Sequence, residues 1–118
     1  MSASIRGAVT AAENSRECIL ESSRELIKSI IEKNSLKIDD IVSIVFTATR
    51  DLDKAYPAVA ARQLGITEAA LMCVQEMYVE GSLEMCIRVM VTVDNGIKQK
   101  DAKHVYLGGA KVLRPDIN

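Results

Sequence analysis

Met85-Cys86-Ile87-Arg88-Val89-Met90-Val91-Thr92-Val93 is the stretch on which the fold turns. By length alone it suits either a strand or a buried helical segment. It holds five β-branched residues, and Ile87, Val89, Val91 and Val93 share one parity, so it is read as a strand. Arg88 interrupts the apolar series. A guanidinium among β-branched residues must be paired or reach water, because an unpaired buried charge is very costly.

Working outward, residues 70–77 (Ala-Leu-Met-Cys-Val-Gln-Glu-Met) pose the same ambiguity of length. Gly81-Ser82 lies midway between the two stretches, which predicts a hairpin-like return. A return centred near residue 82 sets Glu76 opposite Arg88, with Cβ atoms about 5 Å apart. Residues 41–48 are apolar on both parities, the pattern of a central strand covered on both faces. Residues 4–10 read as a first strand weakened by Gly7.

The clear helix lies between them. Ile19, Ser22, Ser23, Leu26, Ile27, Ile30 and Ile31 form a stripe of helical period. Asn14 or Ser15 caps its start, Glu17 sits in the first turn, and Asn34-Ser35 ends it. Its mixed-charge side (Glu21, Arg24, Glu25, Lys28, Glu32) is a solvated surface. Pro57 opens a second, short helical piece over residues 58–64, stopped by Gly65. The tail, residues 103–114, is β-like, and Gly108-Gly109 fits either a two-residue turn or a bulge in one longer strand.

The sum is an α+β fold in one domain, residues 1–118: a mixed five-stranded sheet with one long helix and one short helical segment on one face. One helix cannot cover five strands, so the other sheet face must be buried by another chain or remain a large exposed patch. Oligomerisation is therefore favoured.

Composition limits the function. The 118 residues carry 15 Lys+Arg against 16 Asp+Glu, and a single Phe with no Trp makes the core aliphatic. There is no basic excess to attract nucleic acid, no apolar run near the roughly 20 residues of a membrane span, and no signal-peptide architecture at Met1–Arg6. Cys18, Cys73 and Cys86 are an odd count at no metal spacing, and with one His a zinc site is improbable. A reduced, cytoplasmic setting is the simplest reading. Phosphate loops, nucleophile elbows and zinc-protease motifs are absent from the sequence. What remains is a set of strand arginines, Arg6, Arg88 and Arg114, with Glu76 placed to pair one of them. Planar cations grouped this way suit the carboxylates of a small polyanion.

Seven fragments occur in order: Ile5-Arg6-Gly7-Ala8-Val9-Thr10, Ala48-Thr49-x-Asp51-Leu52, Tyr56-Pro57-Ala58, Cys73-x-Gln75-Glu76-Met77, Cys86-Ile87-Arg88-Val89-Met90, His104-Val105-Tyr106-Leu107 and Val112-Leu113-Arg114-Pro115-Asp116. In this the chain resembles the monofunctional Bacillus-type chorismate mutases, from residue 5 to 117. The resemblance implies a homotrimer whose sheets pack as a pseudo-α/β-barrel, with active sites between subunits. It makes 85–93 a strand and Tyr106–Arg114 one long strand with a kink at the glycines. It implies conversion of chorismate to prephenate by a [3,3] rearrangement, with no cofactor or metal.

By the same resemblance, Arg88 contacts the breaking ether oxygen, Arg6 and Tyr106 hold a carboxylate, and Glu76 accepts a hydrogen bond from the ring hydroxyl near Cys73. Tyr56 walls the apolar side, where the family usually has Phe. Ala58, Val59 and Met72 also line the site, Leu113 packs against the ring, and Arg62 and Arg114 stand at the entrance. Glu76 and Cys73 are three apart, so on a flat strand they face opposite ways, which suits a site shared between two chains. One departure is Val59, which replaces the family's usual Lys, with Lys54 as a partial substitute. Another is the end at Asn118, where relatives often continue into a tail over the site. Two rivals share the architecture: an enamine/imine deaminase-like enzyme, and a non-catalytic anion-binding trimer.

Overall fold

The computed structural model describes residues 1–116; Ile117 and Asn118, the end of the expected domain and of the resemblance, lie outside the described residues. Strands β1 (Ala3–Thr10), β2 (Ile41–Ala48), β3 (Ala70–Gln75), β4 (Cys86–Val93) and β5 (Val105–Leu107) form one sheet in the order β3-β2-β4-β1-β5. Central β4 runs antiparallel to both neighbours, β1 and β2. The outer pairs, β2 with β3 and β1 with β5, are parallel. Helices α1 (Arg16–Lys33) and α2 (Ala58–Gln63) pack on one face.

The alternation of side chains decides which face that is. Ile5, Gly7 and Val9 of β1 pair with Val91, Val89 and Ile87 of β4, and Ile44 and Phe46 of β2 continue the same rows. These residues, with Ile19, Leu26, Ile27 and Ile30 of α1 and Ala58 and Ala61 of α2, make the main core. Ser15 caps α1 by accepting the Cys18 N–H at 3.2 Å. At the other end the buried amide of Asn34 donates to the carbonyls of Ile30 and Lys103, both at 3.0 Å, and accepts the Lys103 N–H at 2.9 Å. The helix is thereby tied to the segment that leads into β5.

Gly7, read as a weakness of β1, is what lets α1 seat. A Cβ there would lie 2.9 Å from Ile30 Cδ1, 3.0 Å from Leu26 Cδ1 and 3.1 Å from the Val105 carbonyl. The sheet interior tolerates the lost side chain because the helix fills its space.

Three expectations require correction. First, residues 70–77 and 85–93 form no hairpin: β3 and β4 both pair with β2, which lies between them. Glu76 and Arg88 are thus two strands apart in the sheet. Second, β2 is not the central strand and only one of its faces is covered in the protomer; Val42 and Val45 are exposed. Its apolar residues on both parities reflect a bulge between Ile41 and Ser43 and an unoccupied face. Third, Tyr106–Arg114 is not one strand. β5 ends at Leu107, and Gly108–Leu113 is a 3-10 turn. Gly108 takes φ +59°, the left-handed region glycine favours, and the Gly109 N–H donates to the Thr10 hydroxyl at 2.9 Å. The chain is turned off the sheet edge where β1 ends, and folds over the open face.

Because Gly7 faces flexible side-chain tips and one rigid carbonyl, Gly7→Ala should cost about 1 kcal/mol and Gly7→Val about 2–3 kcal/mol of stability. Urea unfolding with an unchanged m-value and a lowered midpoint is the expected result.

Candidate functional site

The uncovered sheet face carries the strand arginines. Register sets Tyr106 of β5, Ala8 of β1, Arg88 of β4 and Thr47 of β2 in one row, with Arg6 and Met90 paired in the next. Glu76 follows directly on β3, its N–H donating to the Ala48 carbonyl at 3.0 Å. From there its carboxylate accepts the Thr47 hydroxyl and stands 3.6 Å from Arg88 Nε. The pairing inferred from sequence therefore exists, by a different route: β2 supplies a threonine that bridges the gap a hairpin would have closed. Arg88 and Glu76 are 45% and 23% exposed, so the ion pair contributes about 0–1 kcal/mol to stability. Its effect is to orient a planar cation, whose N–H fork suits an oxyanion.

Beneath Arg88 lies Cys86, buried with Ala8, Tyr106 and Ala110 in a small cluster against which Leu113 packs. Burial pushes the Cys86 thiol up, against the opposing pull of Arg88, so it stays protonated and inert. Arg114, just past the turn, donates from Nε and Nη2 to Asp116 at 3.2 and 3.1 Å. That interaction holds the Asp116 carboxyl below its ordinary range. His104 reports the local field: its Nδ1 accepts the Arg6 N–H at 2.9 Å, and its pKa is lowered first by burial and then by Arg6 and Arg114. Arg6 and Arg114 thus stand close to one another on this face of a chain whose net charge is −1.

The remaining predicted residues lie elsewhere. Cys73 pairs in register with Phe46 and packs against the core on the helix side. With Tyr56 and Val59 it lines a cleft of about 560 Å³ that also carries Arg16, Arg50 and Lys54. Lys54, the suggested substitute at the Val59 wall, is in this cleft, 3.8 Å from Asp53 Oδ1. Asn14 fastens that loop to the start of α1 through its side chain, donating to Asp53 Oδ1 and accepting the Asp53 N–H. Ala58 is buried in the core, Arg62 is on the exposed side of α2, and Met72 is exposed on the open sheet face. Glu76 instead borders a smaller depression with Thr49, Arg50 and Tyr78. The protomer brings together Arg6, Glu76, Arg88, Tyr106, Leu113 and Arg114; it does not bring Tyr56, Val59 and Cys73 to them.

Sequence reasoning passed over several residues. Asp51 accepts the Met85 N–H at 3.0 Å, and the Thr49 hydroxyl accepts the Cys86 N–H at 3.0 Å, fixing the start of β4 just ahead of Arg88. Met85 sits at φ +54°, which that carboxylate helps to hold. The Ala48-Thr49-x-Asp51 string was visible, but nothing local in it points to residue 85.

The His104 shift has a testable sign. The folded state binds this proton less readily than the unfolded chain, so the contribution of neutral His104 is full above its ordinary pKa of about 6.5 and is lost as pH falls through the lowered value. Between about pH 7.5 and 5, wild type should lose more stability in urea than His104→Asn, whose amide oxygen keeps an acceptor but does not titrate.

Comparison with known proteins follows from this geometry. A family model described as chorismate mutase type I matches residues 2–117. Chorismate mutase AroH of Bacillus subtilis (strain 168) is 44% identical over 115 residues, 97% of this chain and 91% of that protein. Chorismate mutase AroH of Thermus thermophilus is 40% identical over 114 residues, 96% and 93% of the two chains. The solved structure of a chorismate mutase from Clostridium thermocellum superposes with a TM-score of 0.90 at 54% identity, covering 92% of this chain and 97% of that one.

Proposed function

The chain belongs to the chorismate mutase type I family, and we propose that it works as a homotrimer, each site joining the open-face cluster of one protomer to the cleft of its neighbour. The activity is the isomerisation of chorismate to prephenate, a step toward the aromatic amino acids. The family match leaves the deaminase-like and non-catalytic alternatives without support.

The observation that carries the composite site is the separation just described. Glu76 and Arg88 lie on the open sheet face, while Cys73 and Val59 open on the helix side. A band of apolar side chains (Val42, Val45, Met72, Val74, Met90) is left exposed beside the charged cluster. Such a face is buried when copies of the chain pack sheet to sheet, and a closed ring does this for every protomer alike. Packing of that kind brings one protomer's charged rim toward the next protomer's cleft. The whole chain, residues 1–118, acts as one domain in this reading. We read its setting as cytoplasmic from its three free cysteines; among the described residues no helix is long and apolar enough to cross a membrane.

The rearrangement is unimolecular. One C–O bond breaks as one C–C bond forms, with no proton transfer and no covalent intermediate. What side chains can supply is restriction of the substrate to a compact chair and stabilisation of the charge that builds on the ether oxygen. Arg88, pre-aimed by Glu76 and Thr47, meets that oxygen and favours the transition state over the ground state. Arg6 and Tyr106 hold a carboxylate. Glu76, already an acceptor for Thr47, takes the ring hydroxyl as well, and Cys73 of the neighbour lies near it. Tyr56, Val59 and Met72 line the walls, while Ala58, expected among them, is buried in the core and does not; Leu113 packs on the ring, and Arg62 and Arg114 stand at the rim.

Arg88→Ala should lower kcat on chorismate by several orders of magnitude with folding intact, since one preorganised donor alone is worth about 10²–10³. Near-normal turnover would overturn the assigned mechanism. With no titrating catalyst, kcat should stay nearly flat between about pH 6 and 9, and a bell-shaped profile would point instead to His104 or a cysteine. Light scattering should give a mass three times that of the 12.9 kDa chain.

A further inference from the structure

We propose that Arg50 is a substrate-binding residue of this enzyme, gripping a carboxylate of the bound dicarboxylate in the cleft that its protomer offers to a neighbour's charged cluster. The inference rests on the composite-site reading above and adds a residue to it.

Arg50 follows β2 by two residues, in the turn whose neighbours Thr49 and Asp51 are fastened to the start of β4. Its backbone is therefore fixed at both sides. Its guanidinium lies over the ring of Tyr78, 3.9 Å from the centroid. That stacking leaves the edge of the guanidinium, with its N–H fork, directed away from the ring face. Among the described residues no carboxylate lies within salt-bridge distance of it. Arg50 borders both depressions, the large one with Tyr56, Val59 and Cys73 and the small one with Glu76.

The other cations of the cleft are less suited. Lys54 is engaged by Asp53, and among the described residues no aromatic ring holds Arg16 as Tyr78 holds Arg50. Val59 offers this wall an apolar surface, so a carboxylate placed against it needs a cation from another direction. Arg50 is the one that is anchored on a ring, carries no carboxylate partner among the described residues, and lines the same cleft as Val59. A fork held in place by an aromatic ring loses little side-chain freedom when it closes on an anion.

Steady-state kinetics on chorismate with wild type, Arg50→Leu, Arg50→Lys and the double variant Arg50→Leu/Val59→Lys test this. Arg50 is exposed, so its variants should melt like wild type. Arg50→Leu should raise KM about tenfold with kcat within about twofold, the mark of lost binding shared by ground and transition states. Arg50→Lys should recover part of the loss, and the lysine at position 59 should recover it by supplying a cation from the opposite wall. An unchanged KM in Arg50→Leu, or a fall in kcat at constant KM, overturns the proposal. Calorimetric titration of chorismate separates this from a failure of the reaction itself. Weaker binding to Arg50→Leu supports Arg50 even if neither protein turns over, and equal binding refutes it.

Discussion

The proposed site depends on the pairing of Arg88 with Glu76 across an intervening strand. A guanidinium in the central strand of a sheet has few ways to be satisfied. Here the carboxylate reaches it from beyond the end of β3, and Thr47 of β2 holds that carboxylate at the required height. Two of the groups come from adjacent strands and Glu76 directly follows a third, tied by its N–H to Ala48, so their spacing is set largely by the sheet ladder. A cation placed this way needs no reorganisation when charge develops opposite it, which is the form of electrostatic catalysis a cofactor-free rearrangement can use.

Placing that cation leaves the sheet two-sided in character. One face is apolar throughout and closed by α1 and α2, with Gly7 admitting the helix to close range. The other carries arginines at one end and unburied methionines and valines along its middle. Among the described residues no side chain covers that middle band. In the proposed trimer the functional and the cohesive surfaces are thus the same face, and assembly of copies would complete the site.

Much of this was legible in the sequence because the relevant signals are local. Period-2 alternation located β4, period-3.6 spacing located α1, and Pro57 and Gly65 bounded α2. The surplus of strand over helix indicated an uncovered face. What was not legible was pairing order. A glycine midway between two apolar runs looks the same whether they pair with each other or with a third strand, so the Glu76–Arg88 contact was anticipated through a hairpin that does not exist. Gly108-Gly109 was equally mute about direction: whether it kinks a strand or ends it depends on the Thr10 hydroxyl, about a hundred residues away. Arg50 went unread because an arginine in a turn carries no pattern; its significance comes from Tyr78 and from the two depressions it separates.

The position of β4 in the sheet also governs how the molecule comes into being. Its partners β1 and β2 pair with nothing but β4 on their inner edges, and Ala3 of β1 meets Val93. During synthesis β1 must therefore wait until β4 has left the ribosome, while β2, α2 and β3 can already associate. Contacts of such long sequence separation make for slow folding, with apolar strand edges displayed meanwhile. The central strand that carries the arginine is the last long strand to be made, so the nascent chain acquires its sheet and places Arg88 in the same late step.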